Sequence, residues 1–178
     1  MKFTKEEKKF WQTHYHFDTP SQLHENWQQI WSVHGDEKDD FFYFFTLRVT
    51  SIIEVHLKET LITDKAVEYM TKFKELQNLY LRRHENITKA SIPFFNQMNK
   101  LESLNITKTK ITLTNLSKQL NNQSLKEVFL DSVENEDTKD NILEKAFILK
   151  ERMPNCDIYL DCSDTVDPFG IKEKPIFY

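Results

Sequence analysis

The chain has 178 residues, a formal net charge of −4, and 39% hydrophobic and 29% charged residues, the balance of a folded chain long enough for one compact domain or one short repeat array. With 2 glycines against 14 phenylalanines, folds built on many tight glycine turns are excluded, as are the glycine clusters of phosphate-binding loops and dinucleotide fingerprints. The charge is uneven: residues 1–51 carry −2, residues 52–126 carry +5 and residues 127–178 carry −7, which argues for a directional electrostatic face and against a uniform nucleic-acid-binding surface.

The chain opens with MKFTKEEKKFW, charged where a secretory signal needs an apolar run. The longest apolar zone, 41–57, contains Arg48 and Glu54, so no transmembrane helix is expected. Cys156 and Cys162 are spaced C-x5-C, unlike a zinc or redox pair. These features together imply a cytoplasmic, reduced chain that engages neither membrane nor nucleic acid.

Residues 1–50 read as an N-terminal helical and aromatic cap. Thr4 with Glu7 has the spacing of a capping box that opens a short helix towards Phe17. Thr19-Pro20 is a second start signal, with Trp27, Ile30 and Trp31 on one helical face and His34-Gly35 as the stop. The run FFYFFTLRV at 41–49 is aromatic almost throughout and reads as a strand covered on both sides.

A repeat follows. The pattern apolar-x-x-apolar-x-apolar occurs at Ile52/Val55/Leu57, Leu76/Leu79/Leu81, Leu101/Leu104/Ile106 and Leu125/Val128/Leu130, with a weaker copy at Asn155/Ile158/Leu160; successive starts lie 24, 25, 24 and 30 residues apart. Thr63, Thr88, Thr112 and Thr138 run in phase, at spacings of 25, 24 and 26. Alternating apolar residues fit a short strand facing a core, and each threonine sits where a helix begins and can cap its free N–H groups. Apolar helical faces come next: Val67, Met70 and Phe73; Ile92, Phe95 and Met98; Leu116 and Leu120; Ile142, Ala146, Leu149 and Met153. One strand–turn–helix unit cannot bury its apolar side alone, whereas stacked units can. Adjacent parallel strands are therefore expected at 52–57, 76–81, 101–106, 125–130 and 157–161.

The segments LQNLYLRRHENIT, LESLNITKTKIT and LKEVFLDSVENEDT resemble the leucine-rich-repeat family, in its ribonuclease-inhibitor-like subtype with helical outer faces. The resemblance implies an α/β solenoid of about four to five strand–helix units with a curved parallel sheet, an array over 51–165 and a tail over 166–178, all in one structural domain. The asparagine that the family places three residues after the last strand leucine is replaced here by Thr60, His84, Thr109, Val133 and Ser163. Three hydroxyls can partly replace the amide ladder; Val133 cannot.

No catalytic constellation is evident. His14-x-His16 with Asp18 is the one metal-like cluster, but i and i+2 on a helix diverge. Cys156 reads as a small buried thiol. The acidic run Glu134, Glu136, Asp137, Asp140 lacks EF-hand spacing and reads as a solvated loop leading into a helix. No cofactor and no metal are expected.

The residues between the strand leucines face the concave side. The middle column, His56, Tyr80, Asn105, Phe129 and Tyr159, is rich in aromatics. It is flanked by Glu54, Asn78, Ser103, Glu127 and Asp157 on one side and by Lys58, Arg82, Thr107, Asp131 and Asp161 on the other. Tyr80, Arg82, Glu127, Phe129, Asp131, Asp157, Tyr159 and Asp161 are the candidate partner-binding residues, with Phe129 and Tyr159 as solvent-facing anchors unless the cap or tail folds over them. The expected function is non-catalytic protein binding to a partner with a basic surface, as in a bacterial immunity protein that occludes a basic toxin. A recognition subunit or scaffold is the alternative of the same class, and an enzyme or metal protein using the N-terminal histidines that of another.

Overall fold

The computed structural model describes residues 2–132, 139–162 and 173–177. Helices and strands alternate: α1 (Lys5–Tyr15), β1 (Asn26–Val33), α2 (Asp39–Thr46), β2 (Ser51–Lys58), α3 (Asp64–Met70), β3 (Asn78–Arg82), α4 (Ile92–Phe95), β4 (Ser103–Asn105), α5 (Leu113–Gln119), β5 (Glu127–Leu130), α6 (Lys139–Arg152) and β6 (Asp157–Leu160). Short 3-10 turns cover Pro20–Gln22 and Lys89–Ser91. The strands form a single six-stranded sheet in the order β1-β2-β3-β4-β5-β6, and every pairing is parallel. Among the described residues no helix is long and apolar enough to cross a membrane.

The apolar repeat positions meet in register. Leu79 pairs with Leu104 and Leu104 with Val128, and all three are fully buried. Val67, Met70, Ile92, Phe95, Leu116 and Leu149, from the helices between the strands, complete the same continuous core. One face of the sheet is thus sealed by helices, which pack side by side in chain order.

Two elements of the N-terminal region differ from the sequence reading. Residues 26–33 form strand β1 and not a helix. Trp27, Ile30 and Ser32 pair with Ile52, Val55 and Leu57, so this segment is a further copy of the repeat pattern, disguised by a serine at its last position. The offsets 27, 30 and 31 also match a helical face, and the sheet wins because β2 supplies a hydrogen-bonding edge. Conversely, 39–46 forms helix α2 and not a strand. Its first turn carries Asp39 and Asp40, suited to the positive end of a helix. Phe41, Phe42 and Phe45 are buried because α2 lies between α1 and α3. The Thr4–Glu7 capping box is formed as expected: Glu7 N–H donates to Thr4 Oγ1 at 3.2 Å and Thr4 N–H to Glu7 Oε2 at 2.8 Å.

The in-phase threonines do more than cap. Thr63 accepts from Lys65 N–H at 3.2 Å while its own N–H and hydroxyl donate to Asp39, both at 2.7 Å. One unit on, Thr88 accepts from Ala90 N–H at 3.2 Å and donates from its N–H and hydroxyl to Asp64, at 2.8 and 2.7 Å. Each acid at a helix start therefore clasps the threonine of the following unit. The clasp ends at Thr112, because Lys89 stands where the acid would be; Thr112 instead forms a box with Asn115. Thr138, Val133, Ser163 and the acids Glu134, Glu136 and Asp137 lie outside the described residues, as does most of the 166–178 tail.

The left-handed positions in the turns leaving the strands are not taken by glycine. His34, Glu59, Arg83, Lys108 and Asp161 each have φ between 55° and 62°, the left-handed region that disfavours side chains. Four of them recur at the repeat spacing.

Leu104→Ala is expected to lower unfolding free energy by about 2–5 kcal/mol, the usual result of truncating a packed leucine; denaturant melts measure it. Lys108→Val should destabilise by about 1–3 kcal/mol relative to Lys108→Asn, because a β-branched residue tolerates positive φ poorly and asparagine tolerates it well. Equal melts for these two variants would show that the turn is not strained.

Candidate functional site: the sheet face opposite the helices

Strand alternation leaves one side chain per unit in a central column on the face away from the helices. Pairing aligns Trp31, His56, Tyr80, Asn105, Phe129 and Tyr159 in one row. Trp31 stacks on His56 with centroids 4.0 Å apart and 17° between planes, and His56 leads on to Tyr80 at 5.2 Å. At the other end Phe129 and Tyr159 stack at 4.7 Å and 12°. Trp31 was missed by the sequence reading, which had placed it on a helix. The repeat pattern carried one unit upstream, from Ile52 back to Trp27, with a serine allowed at its last position, contains it.

The two ends of the row differ in accessibility. Trp31 is 61% exposed and His56 and Tyr80 are half-buried, whereas Phe129 is 2% exposed and Tyr159 5%. The expectation of solvent-facing anchors at Phe129 and Tyr159 is corrected accordingly. They are buried outside the main core, stacked on one another. Alternation along a strand sets the face a side chain takes and says nothing about what lies over that face. Burial also pushes the Tyr159 hydroxyl above its ordinary range, with Asp157 and Glu127 adding to the rise.

The flanking charges divide by role. Glu127 and Asp157 are register neighbours across β5 and β6 and are half-buried; Asp157 Oδ1 lies 3.4 Å from Lys150 Nζ. Asp131 and Asp161 instead fix the strand-end turns: Asp131 Oδ2 accepts from Lys108 N–H at 2.5 Å, and Asp161 accepts from Ser132 N–H at 2.9 Å and from its hydroxyl at 2.5 Å. Arg82 is half-buried, and its Nε has no hydrogen-bond partner among the described residues. Asn105, in the middle of the row, accepts from Thr107 N–H and hydroxyl at 3.2 and 2.8 Å.

Along the turns leaving the strands, side chains of the left-handed residues join into a chain: His34 Nδ1 lies 2.5 Å from Glu59 Oε2, and Arg83 Nη1 pairs with Glu59 Oε1 at 2.8 Å. The Arg83 hydrogen bond holds the Glu59 carboxyl below its ordinary range. Beneath this chain is a buried polar pair. Thr60 N–H and hydroxyl both lie within hydrogen-bonding distance of His84 Nε2, at 3.1 and 2.9 Å. An amide N–H can only donate, so Nε2 is the acceptor and the imidazole is neutral. This pair occupies the ladder positions where the family pattern would put asparagines. An amide does tie units together elsewhere: Asn122 Nδ2 donates to Phe95 and Met98 carbonyls at 2.7 and 2.9 Å.

The N-terminal histidines do not converge. His14 packs edge-on against Phe41 at 5.1 Å, His16 is the left-handed cap of α1, and Asp18 Oδ1 accepts from Gln12 Nε2 at 2.5 Å. Among the described residues no group of three or more His, Cys, Asp or Glu side chains is placed to hold a metal ion. The Cys156 thiol is fully buried and pushed up to about 12 by that burial, the state of an unreactive packing residue.

No protein-family model matches the chain, and no curated protein shows significant similarity to it.

Burial lowers the His84 pKa below its ordinary value. The folded state thus prefers the neutral ring, and its contribution is intact above the unfolded value of about 6.5 and is lost as pH falls through that value towards the lowered one. Urea midpoints should therefore fall between about pH 7.5 and about pH 5, and His84→Gln should flatten that limb. An unchanged pH profile in the variant would place the acid sensitivity elsewhere.

Proposed function

We propose that the chain is a leucine-rich-repeat solenoid of the ribonuclease-inhibitor-like subtype that binds another protein and catalyses no reaction. The observation that carries this reading is the single row of aligned side chains from Trp31 to Tyr159, five of the six aromatic or imidazole rings, on the face that the helices leave uncovered. A rigid sheet presenting rings on five of its six strands is suited to burying a partner's surface, since rings provide large contact area with little loss of side-chain freedom. The accessible anchor is Trp31. Phe129 and Tyr159 form a stacked floor at the other end, with Glu127 and Asp157 beside it.

Those carboxylates, with the −7 charge of residues 127–178, favour a partner with a basic surface and speed its encounter. In a bacterial cytoplasm this chemistry suits an immunity protein that sterically occludes a basic toxin. A scaffold role would use the same face.

The test is comparative binding. Trp31→Ala should weaken the native partner's affinity by about 2 kcal/mol, mainly through faster dissociation. Glu127→Lys with Asp157→Lys should instead slow association, most strongly at low salt. Glu144→Lys, exposed on the helical side, should leave binding unchanged. Wild-type rates in both face variants would reject this face as the docking surface.

A further inference from the structure

The two edges of the sheet are treated differently. On β6, Asp157 and Asp161 donate their N–H groups inward, to Lys126 and Leu130 of β5 and its approach, so by alternation Ile158 and Leu160 point their backbone groups outward. The outward Ile158 carbonyl accepts from Ile176 N–H at 2.8 Å, and Ile176 and Phe177 pack against the core. The chain's own C-terminal segment thus engages that edge at Ile158.

Among the described residues the β1 edge has no such cover. His34 N–H donates to Lys58 of β2 at 2.9 Å, so Ile30 and Ser32 address β2 and Gln29, Trp31 and Val33 present N–H and C=O away from the sheet. Among the described residues these outward groups have no hydrogen-bond partner. Trp31 and Val33 are exposed, at 61% and 40%, and a cleft of about 220 Å³ lined by His14, Tyr15, Gln29, Trp31 and Glu37 opens beside them. The strand, NWQQIWSV, runs eight residues without a charge, a proline or a left-handed residue. Edge strands of monomers are usually protected by one of these devices against pairing with another chain.

We infer that β1 is the self-association edge of this protein, pairing antiparallel with β1 of a second copy to form a closed dimer with a continuous twelve-stranded sheet. The row of outward amides and carbonyls is complementary to another strand and to little else. A second copy fits because the segment is uncharged, so no like charges oppose one another across a two-fold axis. Closure follows from the β6 edge: head-to-tail addition of β6 to β1 would grow an open filament and would have to displace the Ile176 bond to the outward Ile158 carbonyl, which favours the isologous β1–β1 contact. In an antiparallel pair, outward-pointing residues of like parity lie opposite one another, so both Trp31 side chains fall on the same face. The aromatic rows of the two copies then run on from one another across the axis.

The test is sedimentation equilibrium of the full chain over a concentration series, combined with amide hydrogen exchange. The wild type should approach twice the 21.4 kDa chain mass, with Trp31 and Val33 amides protected in the dimer. Val33→Pro removes one outward N–H and no bond to β2, and Trp31→Lys places a charge on an exposed position, so both should keep the wild-type circular dichroism and melt as folded monomers with those amides exchanging freely. A wild type that stays monomeric to its solubility limit overturns the inference. So does a dimer that persists in both folded variants, or one in which the Trp31 and Val33 amides are unprotected.

Discussion

No unit of this chain can bury its own apolar side. A strand of three to eight residues with a short helix exposes too much apolar surface to hold alone, and its stability comes from neighbours that bring the same positions to the same height. Everything else depends on that alignment. Leu79, Leu104 and Val128 meet only because the intervening chain returns each strand in register, and the clasps from Asp39 to Thr63 and from Asp64 to Thr88 meet only under the same condition. The helix-free face inherits its order from this constraint, since a row of side chains on one face is the mirror of a row of leucines on the other.

The stretch from β2 to β5 was legible because two independent periodic signals agree there. The leucine triplets identify strands and the threonines identify helix starts, and the buried residues of α3, α5 and α6 fall on the faces their spacing implies. The N-terminal region was not legible, for reasons particular to its residues. In β1 the pattern survives as Trp27, Ile30 and Ser32, and the serine hides it while Trp31 completes a false helical face. In α2 the five aromatic residues erase any period, and the two aspartates that open the helix are the weaker signal. Phe41, Phe42 and Phe45 form the buried face of α2 between α1 and α3, while Tyr43 is exposed.

The candidate face was readable only in part. Alternation gave the correct row, and pairing confirms each neighbour. Burial depends on what comes to rest above a face, which periodicity does not encode, and so Phe129 and Tyr159 turned from anchors into floor. The carboxylates divided for a similar reason. Asp131 and Asp161 stand at strand ends, where unsatisfied N–H groups of the next turn recruit them, while Glu127 and Asp157 sit within strands whose own N–H groups are already engaged by the sheet. The left-handed positions after β2, β3 and β4 left no trace in the sequence because Glu59, Arg83 and Lys108, and no glycine, occupy them.

The clasp between successive units has a consequence for how such a chain can change length. Asp39 recognises Thr63 through the same two bonds by which Asp64 recognises Thr88, and both threonines follow an isoleucine. Excision of residues 63–87 would join Ile62 to Thr88, recreate the same dipeptide and set Thr88 at the distance along the chain from Asp39 that Thr63 now has. The cut ends are interchangeable, and so are insertions of the same span. A gene encoding this protein could therefore gain or lose whole units by unequal recombination within the stretch between Asp39 and Thr88 without leaving an aspartate–threonine clasp unmatched. The same event beyond Thr88, where Lys89 interrupts the series, would find no matching clasp to restore.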